Sequence, residues 1–337
     1  MERKFRLLEV GKVPPNVTYS LVFLLEAIQD VFSFEFDGTV LEMPAKAVRS
    51  DGTWDDTKIE RQVVRFMADR GFGEHPIAIT AAQLPDDTFS SSDEEVTLLS
   101  IHGWETFSRR SPVDGLAYLV AGALLDCYVR TKVHLKETRA CPNDYCDTLS
   151  DVDKGMDNGL LCRECSVALQ KGMKRGDVSL REVVAIKRIL DHVAGRRLLF
   201  VLMPLSDKFD SVYRCIAAAA KKTGFECVRA DEVREPSVIV DSISEMIGRA
   251  ELVVADLTGS NPNVFYELGE AHATGKSTIL IRHDDPKTSV VPFDLRHHRY
   301  VQYELNRGGL AALRQELVGY MAEAQPSADS LGPSRKR

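Results

Sequence analysis

The sequence predicts an α/β protein whose C-terminal part is a doubly wound parallel sheet, preceded by an α+β domain. Three observations predict it. From Leu198 onward, continuous apolar strands alternate with helices, the pattern of a parallel sheet covered on both faces. The preceding part mixes helical periodicity with short strands and ends in a segment holding four of the seven cysteines. Finally, the strand Glu251 to Asp256 runs into a polar turn, and Glu267 lies on the helix after it. This is how α/β proteins present acids at the carboxyl ends of strands, where ligands bind.

For 337 residues, about 150 residues per domain implies two domains. The boundaries read as an α+β domain over 1–170, a charged helical connector over 171–196, a second domain over 197–324 and a disordered tail over 325–337. In the first domain, Leu21, Leu24, Leu25 and Ile28 give helical spacing over Tyr19 to Val31. Val63, Val64 and Met67 do the same over Ile59 to Arg70. Pro76 to Thr80 and Glu95 to Ile101 read as strands, and the polar stretch Pro85 to Glu94 as a loop. Ser111, Pro112 and Asp114 open a strongly apolar helix reaching Tyr128. In the second domain, Leu198 to Met203, Phe225 to Arg229, Glu251 to Asp256, Thr278 to Ile281 and Tyr300 to Tyr303 are strands. Lys208 to Thr223, Ser237 to Ile247, the stretch from Pro262 to Gly275, and Gly309 to Glu323 are helices. Five parallel strands with helices between them make a flavodoxin-like sheet. Neither GxGxxG nor GxxxxGK occurs, which argues against a Rossmann dehydrogenase or a P-loop enzyme.

Hydrophobic content of 44% and charged content of 28% are those of an ordinary globular protein. A net charge of -7 gives general nucleic-acid binding no electrostatic support. The local exception is the basic end, Ser334 to Arg337. No apolar run reaches the ~18 residues of a membrane span, and the first residues lack the apolar core of a secretory signal. A cytoplasmic location follows as the expectation. Cys127, Cys215 and Cys227 lie among apolar residues and read as core thiols.

Asn261 suits a helix N-cap and Pro262 the first helical position, which places Glu267 in the second turn. At ~100° per residue, Glu270 is offset from Glu267 by ~60° and His272 by ~140°. Glu270 borders the same face and His272 does not. Leu268 and Gly269 should allow close packing on the sheet. A partly buried carboxylate can act as a nucleophile or stabilise a cationic transition state, as cleavage of an N-glycosidic bond requires. Asp256 could orient a ribose hydroxyl or a base. Spacing alone leaves a plain alternative open, in which Asp256 caps a turn and Glu267 is a solvated helix residue.

The segment ADLTGSNPNVFYELGEAHATGK, from Ala255 to Lys276, resembles the signature of nucleoside 2-deoxyribosyltransferase-like proteins and related bacterial TIR-like nucleotide-binding domains. FVLMPLSDKFDSVY, ECVRADEV and VVPFDLRHHRYVQYE resemble the other conserved pieces, in the same order, so the likeness spans roughly Leu198 to Glu323. The resemblance implies that Glu267 is the catalytic carboxylate, forming a glycosyl intermediate in transferases or supporting loss of nicotinamide in NAD hydrolases. It implies that Asp256 and Asn263 hold the nucleoside. Met203, Pro204, Leu205, Ser206 and Phe209 would form the facing wall, and Arg229 and Asp231 could face the same cleft. His272 reads as helix packing before ligand binding. Arg282 and His283, just past the fourth strand, could meet a phosphate or simply lie in an exposed loop. The superfamily also contains domains that bind nucleotides without cleaving them.

Cys141, Cys146, Cys162 and Cys165 form two pairs, the second with the spacing of a zinc knuckle. Four thiolates suit one structural zinc in a closed tetrahedron. Four unligated buried thiols are the alternative, and a redox C-x-x-C lacks its βαβ setting. The region resembles archaemetzincins, zinc proteases in which HExxHxxGxxH runs into a structural zinc site. Over that motif the sequence has Arg130 to Ala140, where only His134 matches a ligand. Arg130 and Ala140 replace the other two histidines, and Thr131 the catalytic glutamate. The resemblance thus implies a retired protease domain that keeps its structural zinc. Together the parts predict a nucleotide-binding N-glycosidic hydrolase with NAD as first candidate substrate. A deoxyribosyltransferase, a nucleotide N-hydrolase and a non-catalytic binding module are the alternatives. A sensor domain joined to a TIR-like domain resembles bacterial antiviral defence effectors, which implies a protein trigger and a homo-oligomer.

Overall fold

The computed structural model describes residues 3–43, 47–85, 88–92, 95–129, 140–144, 149–232, 239–283 and 300–323. The chain divides into two compact units, Met1–Gly195 and Arg196–Arg337. Among the described residues no helix is long and apolar enough to cross a membrane.

The first unit runs β1 (Arg3–Val10), α1 (Val17–Ile28), β2 (Phe32–Glu35), β3 (Val40–Leu41), α2 (Asp56–Arg70), β4 (His75–Thr80), β5 (Ser90–Ser92), β6 (Thr97–Ser100), α3 (Trp104–Phe107), α4 (Pro112–Asp126), α5 (Leu149–Asn158), α6 (Arg163–Arg175) and α7 (Leu180–Val193). Its sheet has the order β2-β1-β4-β6-β5, with β3 beside β2 on the same edge of β1. Every pairing is parallel except β5 with β6. Successive side chains of a strand point to opposite faces, so Leu7 joins the core under α1, α4 and α7, while Leu8 joins the core under α2. The charged sequence Arg3-Lys4-Phe5-Arg6 conceals an inner strand. Arg6 is buried there because Glu35, Asp37 and Glu74 surround its guanidinium at 3.1–3.4 Å. The loop read over Pro85 to Glu94 contains the short edge strand β5.

Two helices follow directly from their caps. Asp55 accepts the Lys58 N–H at the start of α2, and Gly71 closes it at φ 67°. Ser111 caps α4, with Pro112 in its first turn. The stretch expected to be a connector, 171–196, falls within the first unit up to Gly195. It contains the end of α6 and all of α7, whose Val183, Ile186, Ile189, Leu190 and Val193 are buried in the core. Charges on one face hid a stripe of apolar residues on the other. A capping box between Ser179 and Glu182 begins α7, and Glu182 also accepts a hydrogen bond from Tyr128 at 2.6 Å.

The second unit runs β7 (Leu198–Leu202), α8 (Asp210–Lys222), β8 (Glu226–Arg229), α9 (Ile239–Arg249), β9 (Leu252–Asp256), α10 (Pro262–Ala273), β10 (Ser277–His283), β11 (Tyr300–Tyr303) and α11 (Arg307–Glu323). All five strands are parallel in the order β11-β10-β9-β7-β8, the doubly wound flavodoxin-like arrangement. One face packs on α8 and α11 through Leu199, Val201, Val254, Ile281 and Leu317. The other packs on α9 and α10 through Phe200, Val253, Ala255, Leu268 and Leu280. The strand order reverses between β7 and β9, and in such sheets the crevice for a ligand opens beyond the carboxyl ends at that point. The loop from Met203 to Ser206 and the turn after Asp256 both leave the sheet there. The tail 325–337 lies outside the described residues.

Candidate functional site

Asp256 ends β9 with a relative exposure of 0%. Its Oδ1 accepts the Thr258 N–H at 3.0 Å and the Thr258 hydroxyl at 2.5 Å, and its Oδ2 accepts the Tyr303 hydroxyl at 2.6 Å. The Thr258 oxygen in turn accepts the backbone N–H of His283 at 2.8 Å. Burial pushes the Asp256 carboxyl above its ordinary value, against the pull of these donors and the nearby His283. The expectation that Asp256 handles a ribose or base is therefore corrected. Both oxygens are occupied and none of the residue reaches the surface, so Asp256 pins the turn and the ends of β10 and β11. Thr258 and Tyr303, which complete this network, were not singled out from sequence. The Asp-x-Thr spacing was visible, but the pairing with Tyr303 depends on the register of a strand 47 residues away.

Glu267 lies where the helical reading placed it. Asn261 caps α10 by accepting the Asn263 N–H at 2.9 Å, and Pro262 fills the first turn. Val264, Leu268 and Ala271 are the buried stripe of α10, and Glu267 stands at the i+3 position of that stripe, half-buried. Burial, with the like charge of Glu270 on the same flank, raises its carboxyl to about 7. Among the described residues it has no hydrogen bond or ion pair. With no partner among the described residues, it is a half-buried acid raised toward neutrality on the helix that follows β9, and perturbed carboxyls of this kind cluster at functional sites. Asn263 is exposed one helical turn before it. Gly269, expected to face the sheet, is exposed and has open space where a Cβ would stand; Leu268 makes the close contact instead.

The facing wall divides. Pro204 is half-buried, Ser206 is exposed and Leu205 is 58% exposed at the loop after β7. Met203 and Phe209 are buried in the core on the α8 side, so they shape the loop from beneath and offer no wall to a ligand. Arg229 and Asp231 are turned to each other. The Arg229 guanidinium holds both Asp231 oxygens at 2.6 and 2.8 Å, reaches Asp210 at 3.0 Å and lies 4.4 Å from the Tyr213 ring centre. This fork ties β8 to α8 and leaves neither charge directed at a ligand. The His272 ring meets the Thr278 hydroxyl at 3.1 Å, which joins α10 to β10, so its packing reading is the one the geometry supports. Arg282 and His283 are not in an exposed loop. They are the last two residues of β10, Arg282 buried and His283 half-buried.

In the first unit, Cys141, Cys162 and Cys165 converge, with their sulfurs all within 4.8 Å of one another. Cys146 and His134 lie outside the described residues. Cys162 caps α6 by accepting the Cys165 N–H at 3.4 Å, and Cys141 accepts the Cys162 N–H at 3.5 Å. Such N–H donors to sulfur stabilise thiolates. Asn143 adds a donor to Cys165 at 3.6 Å. The hydrogen bond with Cys165 holds Cys141 down at about 7, whereas the same pairing raises Cys165, and burial raises Cys162. Two sulfurs ~2.3 Å from one tetrahedral zinc stand about 3.8 Å apart, and Cys141 and Cys165 stand at 3.8 Å. Among the described residues this is the one group of His, Cys, Asp or Glu spaced to hold a metal. Cys127 and Cys227 are half-buried and Cys215 is buried, and none of the three is a member of the cluster.

No protein-family model matches the chain, and no curated protein matches it. Solved structures similar to it include archaemetzincin-like zinc peptidases. A zinc-dependent peptidase from Methanocorpusculum labreanum is 14% identical, with TM-score 0.38, over 49% of this chain and 99% of that one. Archaemetzincin from Methanopyrus kandleri is 14% identical, with TM-score 0.35, over 51% of this chain and 96% of that one. The C-terminal domain of glucosamine-fructose-6-phosphate aminotransferase from Francisella tularensis is 10% identical, with TM-score 0.25, over 95% and 84%.

Proposed function

We propose that the second unit binds a nucleotide and cleaves its N-glycosidic bond with Glu267, while the first unit carries one structural zinc on Cys141, Cys146, Cys162 and Cys165. The observation that carries the catalytic part is the half-buried Glu267 carboxyl, raised to about 7 and without a partner among the described residues, at the carboxyl end of the sheet. The C1′–N bond breaks and its electron pair leaves with the base. The positive charge left on the sugar meets the Glu267 carboxylate, as a covalent bond or as an ion pair. Water then adds at C1′ and gives up its proton to the carboxylate. Leu205 and Asn263, both exposed at the loop after β7 and the first turn of α10, are the wall that the substrate would touch. NAD is the first candidate, because a pyridinium close to Glu267 favours the ionised carboxylate and leaves as neutral nicotinamide. The resemblance of the Ala255 to Lys276 segment to glycosidic-bond enzymes supports the same reading.

Incubating the full chain with NAD, with deoxynucleosides and with deoxynucleoside monophosphates tests it. Base release from one pool is expected, and Glu267→Gln should lower it at least ~100-fold while leaving the circular dichroism spectrum unchanged. Turnover that survives this substitution rules out the role of Glu267. The withdrawal of Asp256 into the core removes the expected helper carboxylate and favours a second reading, a nucleotide-binding module without catalysis. Saturable binding with no base released from any pool would select it.

A further inference from the structure

Arg282 is anomalous. It is only 7% exposed, and among the described residues its guanidinium makes no hydrogen bond and no ion pair. Its Nε is buried without an acceptor. The Tyr300 ring lies against it, its centre 5.0 Å from the guanidinium carbon. A buried cation without a counter-charge is costly, and arginine is almost never fully buried unless it is paired. The other buried arginine among the described residues follows that rule, since Arg6 has three acids around it. The position of Arg282 is equally specific. The last pairing of β9 with β10 is Asp256 with Ile281, so Arg282 stands one residue beyond it, on the rim where ligands enter. By strand alternation it shares the sheet face of Leu280, the face that α10 covers, while His283 points to the opposite face with Ile281.

We infer that Arg282 is the counter-charge for a phosphate group, which makes the substrate of the second unit a nucleotide and not a free nucleoside. This rests on the reading of that unit as a nucleotide site. A guanidinium offers two parallel donors to phosphate oxygens and keeps its charge at any working pH. Among the described residues no acid meets this guanidinium, and the ligand would bring the anion.

The test uses the full chain and inorganic pyrophosphate as the probe, read by thermal unfolding. Pyrophosphate should raise the Tm of the wild type and of Glu267→Gln alike. Arg282→Met should keep or raise the ligand-free Tm, since it removes an unpaired buried charge, and should abolish the pyrophosphate response. Arg282→Lys should retain a weaker response. If base release is found, Arg282→Met should raise KM for the nucleotide about 10- to 100-fold, the worth of a hydrogen bond to a charged group, and leave KM for the matching nucleoside unchanged. An equal pyrophosphate response in wild type and Arg282→Met, no response in the wild type, or failure of both variants to fold would overturn the inference. A normal pyrophosphate response without base release from any pool would retain the phosphate site and reject the glycosidase reading. Base release from nucleosides and nucleotides with equal KM would do the reverse.

Discussion

Glu267 and Asp256 carry the same charge and leave the same strand-turn-helix, yet their surroundings separate them. Asp256 receives three hydrogen bonds and no solvent, whereas Glu267 receives none from the described residues and keeps some solvent. The difference has a measurable consequence. A carboxyl raised from 4.5 to about 7 in the folded state leaves stability intact below its unfolded value, and the cost of ionising it grows as pH rises from about 4.5 to 7. Solvent contact reduces the full linkage, leaving a loss on the order of 1 kcal/mol. Urea unfolding of the second unit should therefore show Glu267→Gln gaining about that much on the wild type between pH 5 and pH 8. Parallel curves for the two proteins would mean that Glu267 titrates as an ordinary surface acid. A cationic substrate should reverse the effect by stabilising the ionised form.

Among the elements, β7, β9 and the centre of β10 are legible because each is a continuous apolar run followed by polar residues, and α10 because Asn261 and Pro262 announce it. Three things were hidden for physical reasons. The inner strand β1 carries charged residues at its start, and one of them is neutralised by acids that are distant in sequence. Helix α7 resembles a solvated connector until its apolar stripe is seen against the core. The fourth strand, read as ending at Ile281, continues to His283, so the anomalous burial of Arg282 could not be seen. In the candidate site, the position of Glu267 was readable from helical spacing, but the occupied oxygens of Asp256 and the Arg229–Asp231 fork belong to long-range or rotameric choices. The cysteine segment shows element-level control as well. Gly122 on α4 lies against the Pro142 carbonyl, and a Cβ there would stand 2.7 Å from that oxygen. Gly122→Ala should push the segment beginning at Cys141 off the helix, costing about 1–3 kcal/mol and weakening zinc retention against a chelator. Unchanged retention would show that the cysteine segment does not depend on this approach.

At the scale of the whole molecule, each unit has its own pair of cores on the two faces of its own sheet. The proposed metal belongs to the first unit, where Cys141, Cys162 and Cys165 draw the segment before α5 and the start of α6 to one point. A metal bound by the folded state alone adds its binding energy to folding. Two unfolding transitions are therefore expected by calorimetry, and the metal should act on one of them. The purified chain should hold one zinc atom, since the described residues offer one such cluster and the stretch from Arg130 to Ala140 lacks two of the three histidines that a protease zinc needs. Stripping that zinc with a strong chelator, or replacing Cys162 with Ala, should lower the first unit's transition by 10 °C or more, roughly what a loss of several kcal/mol produces in a unit of this size. The second unit's transition and its pyrophosphate response should stay where they were. Two zinc atoms per chain would point to a working protease centre in the first unit, and a chelator that moves neither transition would leave the three thiols as ordinary core residues.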